Sequence, residues 1–356
     1  MPHPCPACTA AHCAVILLNY RNAPDTIACL RALAAMPVQP GKIIVIDNSS
    51  PDDSVKRIMA AWQTSTEPVL LREEPAHAPL LPTSATRILL ARSTNDGFSA
   101  GNNAAIRLAL QDSECKAVWL LNNDTDPEPD ALNALCQRMS ADPQPGIVGS
   151  TLIYAHNRST VQTLAGGRLN SLLGTTHSFG GGMELPEALR QWPQHRVEQQ
   201  LDDIIGASMF IRRATLVQTG YLDEAFFLYG EETEFCIRVR KAGFNFAWAP
   251  ESVVYHKEGG STGAESAAEG RKFRRPAWVD YLSLRNRVYM MRKHYPWALP
   301  LVLLSYLGVI LNRVRRGQAN RIPLIFRAAW DGLRGRMGKP DHLFPALRDT
   351  HENSGH

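Results

Sequence analysis

The strongest constraint on the fold is an alternation of short apolar runs with longer helical patterns in the N-terminal part of the sequence. Uninterrupted apolar strands joined by helices are typical of a mostly parallel sheet with helices on both faces. The expected fold class is therefore α/β. The apolar runs are 14–18, 42–46, 87–91 and 117–121, and the helical patterns are 25–35, a segment after Ser50, 100–110 and 128–139.

Polar clusters follow these apolar runs, and ligands of such sheets bind beyond the carboxyl ends of the strands. Asp47 ends the second run, and Asn48, Ser49 and Ser50 come next. A carboxylate at this point could accept a hydrogen bond from a pyrimidine imide or a ribose hydroxyl. The same cluster could instead only cap the next helix. The sequence leaves both interpretations open.

A second cluster, NDGFSAGNN at 95–103, places Gly97 and Gly101 at the start of a helix after a strand. Small residues and free backbone N–H groups at a helix start suit a diphosphate. The spacing is not that of a dinucleotide-binding GxGxxG fingerprint. An ordinary glycine-rich turn is the alternative.

The third cluster follows the most hydrophobic predicted strand and contains Asn122, Asn123 and Asp124. A carboxylate flanked by carboxamides offers hard oxygen ligands for Mg²⁺ or Mn²⁺ together with substrate phosphates. Asp126 is a further carboxylate, but with Pro127 behind it, it also fits the start of the next helix.

The fourth cluster is acidic and opens a predicted helix at 231–242, which Gly243 ends. Glu231, Glu232 and Glu234 there are favoured by the helix dipole and could be purely structural. Adjacent carboxylates also raise each other's pKa, which suits one of them to accept a proton near neutral pH. Downstream, His256 is a candidate metal ligand or phosphate donor.

In this order and spacing the clusters resemble family 2 of the inverting nucleotide-sugar glycosyltransferases with the GT-A fold, and most of all its bacterial rhamnosyltransferase-type members. The resemblance covers about 13–260. It implies a Rossmann-like, mostly parallel sheet flanked by helices, with a helical C-terminal extension. The matching segments are VILLNYRN at 15–22, VIDNSS at 45–50, NDGFSAGNN at 95–103, LLNNDTDPEPDAL at 120–132, GASMFIRR at 206–213, GYLDEAFFLYGEETEFCIRVRKAGF at 220–244 and PESVVYH, which ends at His256.

The resemblance also implies roles for single residues. Asp47 would recognise the base, and Asp124 with His256 would hold Mg²⁺ or Mn²⁺. The segment Gly206, Ala207 and Ser208 would face the acceptor. The remaining donor-binding residues would be Asn19, Tyr20, Asn95, Gly97, Gly101, Asn102, Asn103, Asn122 and Asn123.

By the same resemblance the catalytic base lies in the pair Glu231 and Glu232, with Glu232 preferred and Glu234 a possible substitute. The implied reaction is a single in-line displacement with inversion. A sugar, with rhamnose suggested, passes from a dTDP- or UDP-linked donor to a glycan or lipid-linked acceptor in cell-surface polysaccharide synthesis.

Two other functions stay open. One is a catalytically inactive family member that acts as a binding or assembly protein. The other is a sugar-nucleotide nucleotidyltransferase, which would want a glycine-rich basic loop after the first strand. The residues there, NYRN at 19–22, do not supply such a loop.

The formal charge is +4 for the whole chain but +14 within 271–340, where 16 basic residues face two acidic ones. Inside this region 297–311 is an apolar run of 15 residues, shorter than the roughly 20 that a spanning helix needs. Arginines flank it on both sides, which indicates a helix in the headgroup region of an anionic membrane. A buried C-terminal helix with a basic face is the alternative. No nucleic-acid-binding motif accompanies these arginines, so no nucleic-acid partner is expected.

The sequence thus predicts a flexible leader at 1–12, a glycosyltransferase domain at 13–265 with a donor half at 13–150 and an acceptor half at 151–265, and a basic membrane-associating region at 266–356. The leader has no secretory pattern, and seven scattered cysteines fit a reducing compartment. The expected location is cytoplasmic, peripheral at the inner face of the plasma membrane. Whether Cys5, Cys8, His12 and Cys13 bind zinc is left open.

Overall fold

A computed structural model describes residues 8–63, 68–74, 83–257 and 276–343. Its centre is a ten-stranded mixed sheet, and a three-stranded sheet lies beside it. The strands are β1 Cys13–Asn19, β2 Lys42–Asp47, β3 Leu70–Glu73, β4 Arg87–Ala91, β5 Ala117–Asn122, β6 Thr125–Pro127, β7 Pro145–Tyr154, β8 Val161–Leu164, β9 Gly166–Asn170, β10 Thr175–Ser178, β11 Asp203–Ile204, β12 Ser208–Arg212 and β13 Asn245–His256. The helices are α1 Ala23–Ala34, α2 Ser54–Trp62, α3 Phe98–Leu110, α4 Ala131–Ala141, α5 Leu185–Gln191, α6 Gln194–Gln200, α7 Arg213–Thr219, α8 Glu231–Lys241, α9 Ala277–His294, α10 Leu299–Arg315 and α11 Ile322–Arg334.

The first half of the sheet is parallel, in the order β3-β4-β2-β1-β5. Successive residues of β1 alternate between two buried cores, with Ile16 in one and Val15 and Leu17 in the other. Because both faces are covered, the strand is apolar at nearly every position. The predicted α/β class and the predicted strands of this half are confirmed.

The second half is mixed. β12 runs antiparallel between β5 and β7, while β13 runs parallel to β7 and antiparallel to β6. Through this pairing His256 lies opposite Thr125, beside the end of β5. Asp126 and Pro127 belong to β6 and α4 begins at Ala131, so the alternative that Asp126 starts a helix is wrong.

The segment 157–203 forms β8, the small sheet β10-β9-β11 and the short helices α5 and α6. The sequence indicated an irregular or β-rich insertion here, and the structure agrees with the β-rich interpretation. Most of the segment 72–86, interpreted as a surface excursion, lies outside the described residues, but β3 occupies its start. The helix expected to end at Gly243 does so, with Gly243 at φ +93°.

The C-terminal region is helical, as expected. α11 packs on α9, and α10 contacts both of them. A short turn extends α10 to a helix over Pro296–Arg315, which is long and apolar enough to cross a membrane by length and composition alone, with a mean hydropathy of 1.6 and 17% of its apolar window buried. This helix is longer than the 15-residue apolar run suggested.

Several of the arginines that flank this run are not free for a membrane. Arg285 is 1% exposed, and its guanidinium donates to the carbonyl of Gly338. Arg313 and Arg321 both pair with Asp280, at 2.7 and 2.6 Å. The interpretation that all the flanking arginines face a membrane is therefore wrong in part, because some of these charges hold the C-terminal helices together.

The N-terminal residues 8–12, assigned by the sequence to a flexible leader, are packed. Ala10–His12 form a short 3₁₀ turn, Cys8 is 8% exposed, and the Cys8 amide donates to Ser140 of α4 at 2.9 Å. The packed domain thus includes Cys8 onward. Cys5 and the other residues before Cys8 lie outside the described residues.

Candidate active site

A buried polar network joins the carboxyl ends of β2, β1 and β5. Asn19 donates to Asp47 at 2.7 Å and accepts a hydrogen bond from Thr26 at 2.8 Å. Asn123 donates to the same Thr26 hydroxyl at 2.9 Å. Since buried polar groups are costly unless they are paired, this chain of amides fixes the relative positions of three loops.

Asp47 is 1% exposed, and each of its oxygens already has a partner in the protein. Asn19 bonds one oxygen, and the backbone N–H of Ser50 bonds the other at 2.8 Å. Tyr20, which follows β1 directly, is half-buried. Of these predicted donor residues, Asp47, Asn19 and Asn123 are buried in the polar network, and Tyr20 is the more accessible one.

The glycine-containing turn serves packing. A Cβ on Gly97, whose φ is +101°, would lie 2.2 Å from the carbonyl oxygen of Phe227, and a Cβ on Gly101 would lie 2.5 Å from the side chain of Leu18. The Asn95 side chain accepts hydrogen bonds from Asn48 at 2.8 Å and from the Gly97 amide at 3.1 Å. These contacts require glycine for close approach of α3, whether or not a diphosphate binds nearby.

The asparagines that follow the turn point into the protein. Asn103 donates to the carbonyl of Leu222 at 2.8 Å and to Glu224 at 2.9 Å, and accepts from the Leu222 amide at 3.1 Å. Asn102 donates to the carbonyl of Phe98 at 3.0 Å. Both are 2% exposed, so the predicted direct donor contact is wrong for Asn103, whose amide is fully used. It ties α3 to the chain that leads to α8.

Asp124 and His256, the two predicted metal ligands, lie next to each other. Asp124 Oδ1 lies 3.2 Å from His256 Nε2, and the Asn122 amide lies 3.5 Å from the same nitrogen. The other ring nitrogen, Nδ1, is 2.9 Å from Gln162 Oε1. With the proton on Nδ1, Nε2 directs a lone pair toward a carboxylate, an arrangement that a cation between them would stabilise.

This donor set fits Mg²⁺ or Mn²⁺. Two ligand atoms about 2.1 Å from one ion at right angles lie about 3.0 Å apart, close to the observed separation. A histidine ligand normally donates its other N–H to an acceptor that fixes the ring, and Gln162 fills that role. Sequence reasoning missed Gln162, which lies in the insertion and carries no recognisable signal.

The acidic pair opens α8. Glu231 is 3% exposed, and its Oε2 atom has no hydrogen-bond partner among the described residues. Burial, and then the negative charge of Glu232, raise the pKa of Glu231 well above its ordinary value. Glu232 is half-buried and accepts a hydrogen bond from the Gly230 amide at 3.2 Å, and burial raises its pKa too.

Glu234 has a different role. It is fully buried and contacts Arg238 at 2.8 Å, Lys293 at 2.7 Å and His294 at 2.9 Å. Burial alone would raise its pKa, but the hydrogen bond from His294 and these cations lower it to about 2. Glu234 is therefore a structural anion, and its interpretation as a substitute base is wrong.

Asp203 of β11 is a third carboxyl group near the pair. It is 7% exposed, and its Oδ1 atom has no hydrogen-bond partner within the described ranges. Burial, and then the charge of Glu232, raise the pKa of Asp203 to about 8. Nothing in the sequence distinguishes Asp203 from its neighbours, because it ends a polar insertion without periodicity.

The predicted acceptor segment approaches Glu232 through one residue. A Cβ on Gly206 would lie 3.6 Å from the Glu232 Cβ, and the Ala207 carbonyl accepts from the Asn122 amide at 3.0 Å. Ser208 is completely buried and bonds Trp119 at 2.9 Å. The expectation that Ser208 contacts an acceptor is therefore wrong, whereas Gly206 remains at the site.

The C-terminal region contributes to this site, although the sequence linked that region only to a membrane or to a buried helix with a basic face. Asn286 of α9 donates to the carbonyls of Leu228 and Tyr229 at 2.9 and 2.7 Å. Tyr229 has φ +74° and Gly230 has φ +86°, so the chain takes an unusual path just before α8. The amide of Asn286 holds that path in place.

Comparisons with known proteins point to one family of enzymes. The family model described as "Glycosyltransferase like family 2" matches residues 11–280. An N-acetylglucosaminyl-diphospho-decaprenol L-rhamnosyltransferase of Mycobacterium tuberculosis (strain CDC 1551 / Oshkosh) is 23% identical over 326 residues, which are 87% of this chain and 97% of that protein.

Two solved structures share the fold. One is S. aureus TarS 1-349 in complex with UDP-GlcNAc, with a TM-score of 0.53 and 13% identity over 93% of this chain and 82% of that one. The other is GalNAc-T7 with UDP, GalNAc and Mn²⁺, with a TM-score of 0.52 and 13% identity over 79% of this chain and 47% of that one. By the extent of the family match, with the GT-A fold of these neighbours, the chain belongs to glycosyltransferase family 2.

Proposed function

We propose that the protein is an inverting, metal-dependent glycosyltransferase that moves a sugar from a nucleoside-diphosphate donor to a hydroxyl group of a glycan or lipid-linked acceptor. One observation carries the proposal. At the end of the β5–β12 pairing, the backbone N–H of Asn122 donates to the Ala207 carbonyl. This bond joins the strand end next to Asp124 to the segment next to Glu232. Asp124 is two residues from one end of this bond, and Gly206, which lies beside Glu232, is one residue from the other, so we infer that the metal-ligand pair and the base serve one site.

In this proposal Glu232 is the base. It is the less buried member of the pair, and it faces Gly206, where the missing side chain leaves room for an acceptor. Its carboxylate takes the proton of the acceptor hydroxyl as that oxygen attacks the anomeric carbon. The bond to the diphosphate breaks on the opposite face, so the configuration inverts.

Glu231 keeps a different protonation state. Its burial and then the charge of Glu232 raise the pKa of Glu231 well above its ordinary value, which favours its neutral acid form, whereas Glu232 is proposed to act as the carboxylate. Asp124 and His256, with Asn122 beside them, would hold Mg²⁺ or Mn²⁺, which neutralises the charge of the diphosphate.

The donor nucleotide is proposed to bind over the floor formed by Asp47 and Asn19, next to Tyr20. Each Asp47 oxygen accepts one hydrogen bond inside the protein, and a carboxylate has further lone pairs for a base or ribose donor. A dTDP- or UDP-linked sugar, with rhamnose as the preferred sugar, follows from the family resemblance and from the rhamnosyltransferase relative.

A thermal-shift panel of dTDP, UDP, GDP and CDP, each with and without Mn²⁺, tests the donor proposal. A ligand that binds only the folded state raises its apparent stability. We expect a Mn²⁺-dependent shift with dTDP or UDP that Asp124→Asn removes and the exposed control Glu187→Gln keeps. No shift with any nucleotide would favour the inactive-member hypothesis. In a parallel panel of dTTP, UTP, GTP and CTP, a shift with a triphosphate and none with any diphosphate would favour a nucleotidyltransferase.

The reaction is proposed to take place at the cytoplasmic face of an anionic membrane. Apolar side chains lie exposed along one stripe of α10 and its preceding turn, and Phe326 and Trp330 are exposed on α11. Arg315, Arg316 and Arg327 are exposed on the same two helices. Apolar and cationic groups together suit the headgroup region of anionic lipids. The stripe on α10 consists of Trp297, Leu301, Leu304, Leu307, Leu311 and Val314.

We propose that α10 lies along the membrane rather than across it. Its other face is used by the protein, since Val302 and Tyr306 are buried and Arg313 pairs with Asp280. A double substitution, Leu304→Glu with Leu307→Glu, should remove cosedimentation with phosphatidylglycerol vesicles. Val217→Glu, at an exposed valine on α7, should leave it unchanged. Equal sedimentation of both variants would contradict the peripheral proposal.

A further inference from the structure

Three thiol groups meet at the amino end of β1, at the opposite end of that strand from Asn19 and the candidate active site. Cys13 is the first residue of β1, Cys136 lies in α4, and Cys8 lies in the packed N-terminal segment. The Sγ atom of Cys13 is 3.6 Å from that of Cys8 and 3.6 Å from that of Cys136. The exposed fractions are 8% for Cys8, 2% for Cys13 and 3% for Cys136.

The spacing of the sulfur atoms suits a metal site, and it is also that of hydrogen bonds between thiols. A disulfide would place two of them about 2.05 Å apart. Around a tetrahedral Zn²⁺ with bonds of about 2.3 Å, two thiolate sulfurs lie about 3.8 Å apart. All three ligand atoms lie within 4.8 Å of one another, and within the described ranges this is the one such group of three among histidine, cysteine, aspartate and glutamate side chains.

The chain brings these thiols together from distant positions. Cys136 is 123 residues from Cys13, so the sequence offered no reason to include it. His12, which the sequence offered as a ligand, instead hydrogen-bonds the Thr9 hydroxyl through Nδ1 at 2.9 Å. The other described cysteines, Cys29, Cys115 and Cys236, are buried as well, but they do not belong to a group of this kind.

We propose that Cys8, Cys13 and Cys136 form a thiolate site for Zn²⁺ that fastens the N-terminal segment to β1 and α4. Sulfur ligands select zinc over the hard cations of the candidate active site. Each thiol gives up its S–H proton to solvent as its sulfur bonds the ion, and nothing is oxidised or reduced. Because metal binding couples to folding, the site would stabilise this end of the sheet.

The first test uses Co²⁺ as a spectroscopic probe on the full chain, purified with reductant and stripped by chelator. We expect an intense thiolate-to-cobalt charge-transfer band that saturates at about one equivalent of thiolate-bound Co²⁺ per chain, whatever Co²⁺ binds at Asp124 and His256. Cys136→Ser should lose the band, and Cys115→Ser, a buried cysteine outside the cluster, should keep it. A band of equal intensity in Cys136→Ser, or no band in the unchanged chain, would overturn the proposal.

A second measurement avoids substitutions that could disturb folding. The unchanged chain is alkylated with iodoacetamide with and without Zn²⁺, and labelling is followed at each cysteine by peptide mass spectrometry. With Zn²⁺ at ten times its dissociation constant, labelling of the three clustered thiols should slow about tenfold. Labelling of Cys115 should not change. Equal rates with and without Zn²⁺ at the cluster, or a disulfide among its members in freshly isolated protein, would overturn the proposal.

Discussion

The donor side and the acceptor side of the candidate active site differ in whether their buried polar atoms have hydrogen-bond partners. On the donor side, Asp47, Asn19 and Thr26 satisfy one another in a continuous network. On the acceptor side, Glu231 and Asp203 each leave a buried oxygen without a partner in the part of the chain that the structure describes. The difference teaches that the donor side is a fixed platform, whereas the acceptor side stores carboxyl groups whose protonation can change.

The largest effect is expected at the base. Glu232→Gln keeps the shape of the side chain but cannot accept the proton, so kcat should fall by about 10² to 10⁴. Nucleoside diphosphate released from dTDP- and UDP-sugars in the presence of a polyprenyl-diphosphate acceptor measures the rate. Nucleotide-dependent thermal shifts should stay unchanged, and Glu187→Gln should match the unchanged protein. Full activity of Glu232→Gln would break the assignment of the base.

Asp203 should make stability depend on pH. Its pKa is raised to about 8 in the folded protein, against about 3.9 when unfolded, so the folded state binds the extra proton. The stabilisation is complete below about pH 4 and is lost as pH rises toward 8. Asp203→Asn should remove this decline, on the order of a few kcal/mol in the free energy of unfolding.

Urea denaturation at several pH values measures the effect, with Glu187→Gln as the control. An unchanged pH dependence of stability would show that Asp203 is already ionised in the folded protein, which would remove part of the contrast between the two sides.

Gln162 of the insertion orients His256, which is a proposed metal ligand. Gln162→Leu removes the hydrogen bond to His256 Nδ1 and should weaken Mn²⁺ binding by about 10- to 100-fold. A Mn²⁺ titration in the presence of UDP or dTDP measures the shift, with Gln191→Leu at the end of α5 as the control. Unchanged Mn²⁺ affinity would mean that the His256 ring is held without Gln162.

The smallest effect is expected on the donor side. Thr26→Val preserves the volume of the side chain but leaves Asn19 and Asn123 without their shared hydroxyl, which should cost about 1 to 3 kcal/mol in the free energy of unfolding. Thr219→Val, on α7, is the matched control. Chemical denaturation measures both. A neutral Thr26→Val would mean that the platform is less tightly determined than the hydrogen bonds suggest.

Much of the parallel half could be predicted because burial on both faces leaves a continuous apolar run in the sequence. Strand Arg87–Ala91 agrees to the residue. The mixed half could not be predicted as well, since β12 and β13 follow an insertion without periodicity, and their pairing joins residues far apart in the chain. Only that pairing explains why His256 lies beside Asp124.

The motifs located the site but not the direction of each side chain. Asn103 and Ser208 fall within the segments that match the family, yet both side chains point into the protein. Asn103 donates a hydrogen bond to the Leu222 carbonyl there, and Ser208 accepts one from Trp119. Gln162 and Asp203 were missed because each is a single polar residue in a polar stretch. A sequence motif indicates which residues lie near a site, whereas the contacts in the folded protein decide which of their side chains face it.

The hydrogen bonds from Asn286 have a practical consequence for anyone who wants this protein free of membranes. α9 carries Asn286 and also forms the base on which α10 and α11 pack, with Ile325 and Tyr306 buried between these helices. Truncation of the chain before α10 would expose the apolar face of α9 to solvent. It would also weaken the position of Asn286, which holds the loop before Glu231 in place. A variant that stays in solution without membranes is better made by substituting polar residues for the exposed leucines of α10 in the full-length chain.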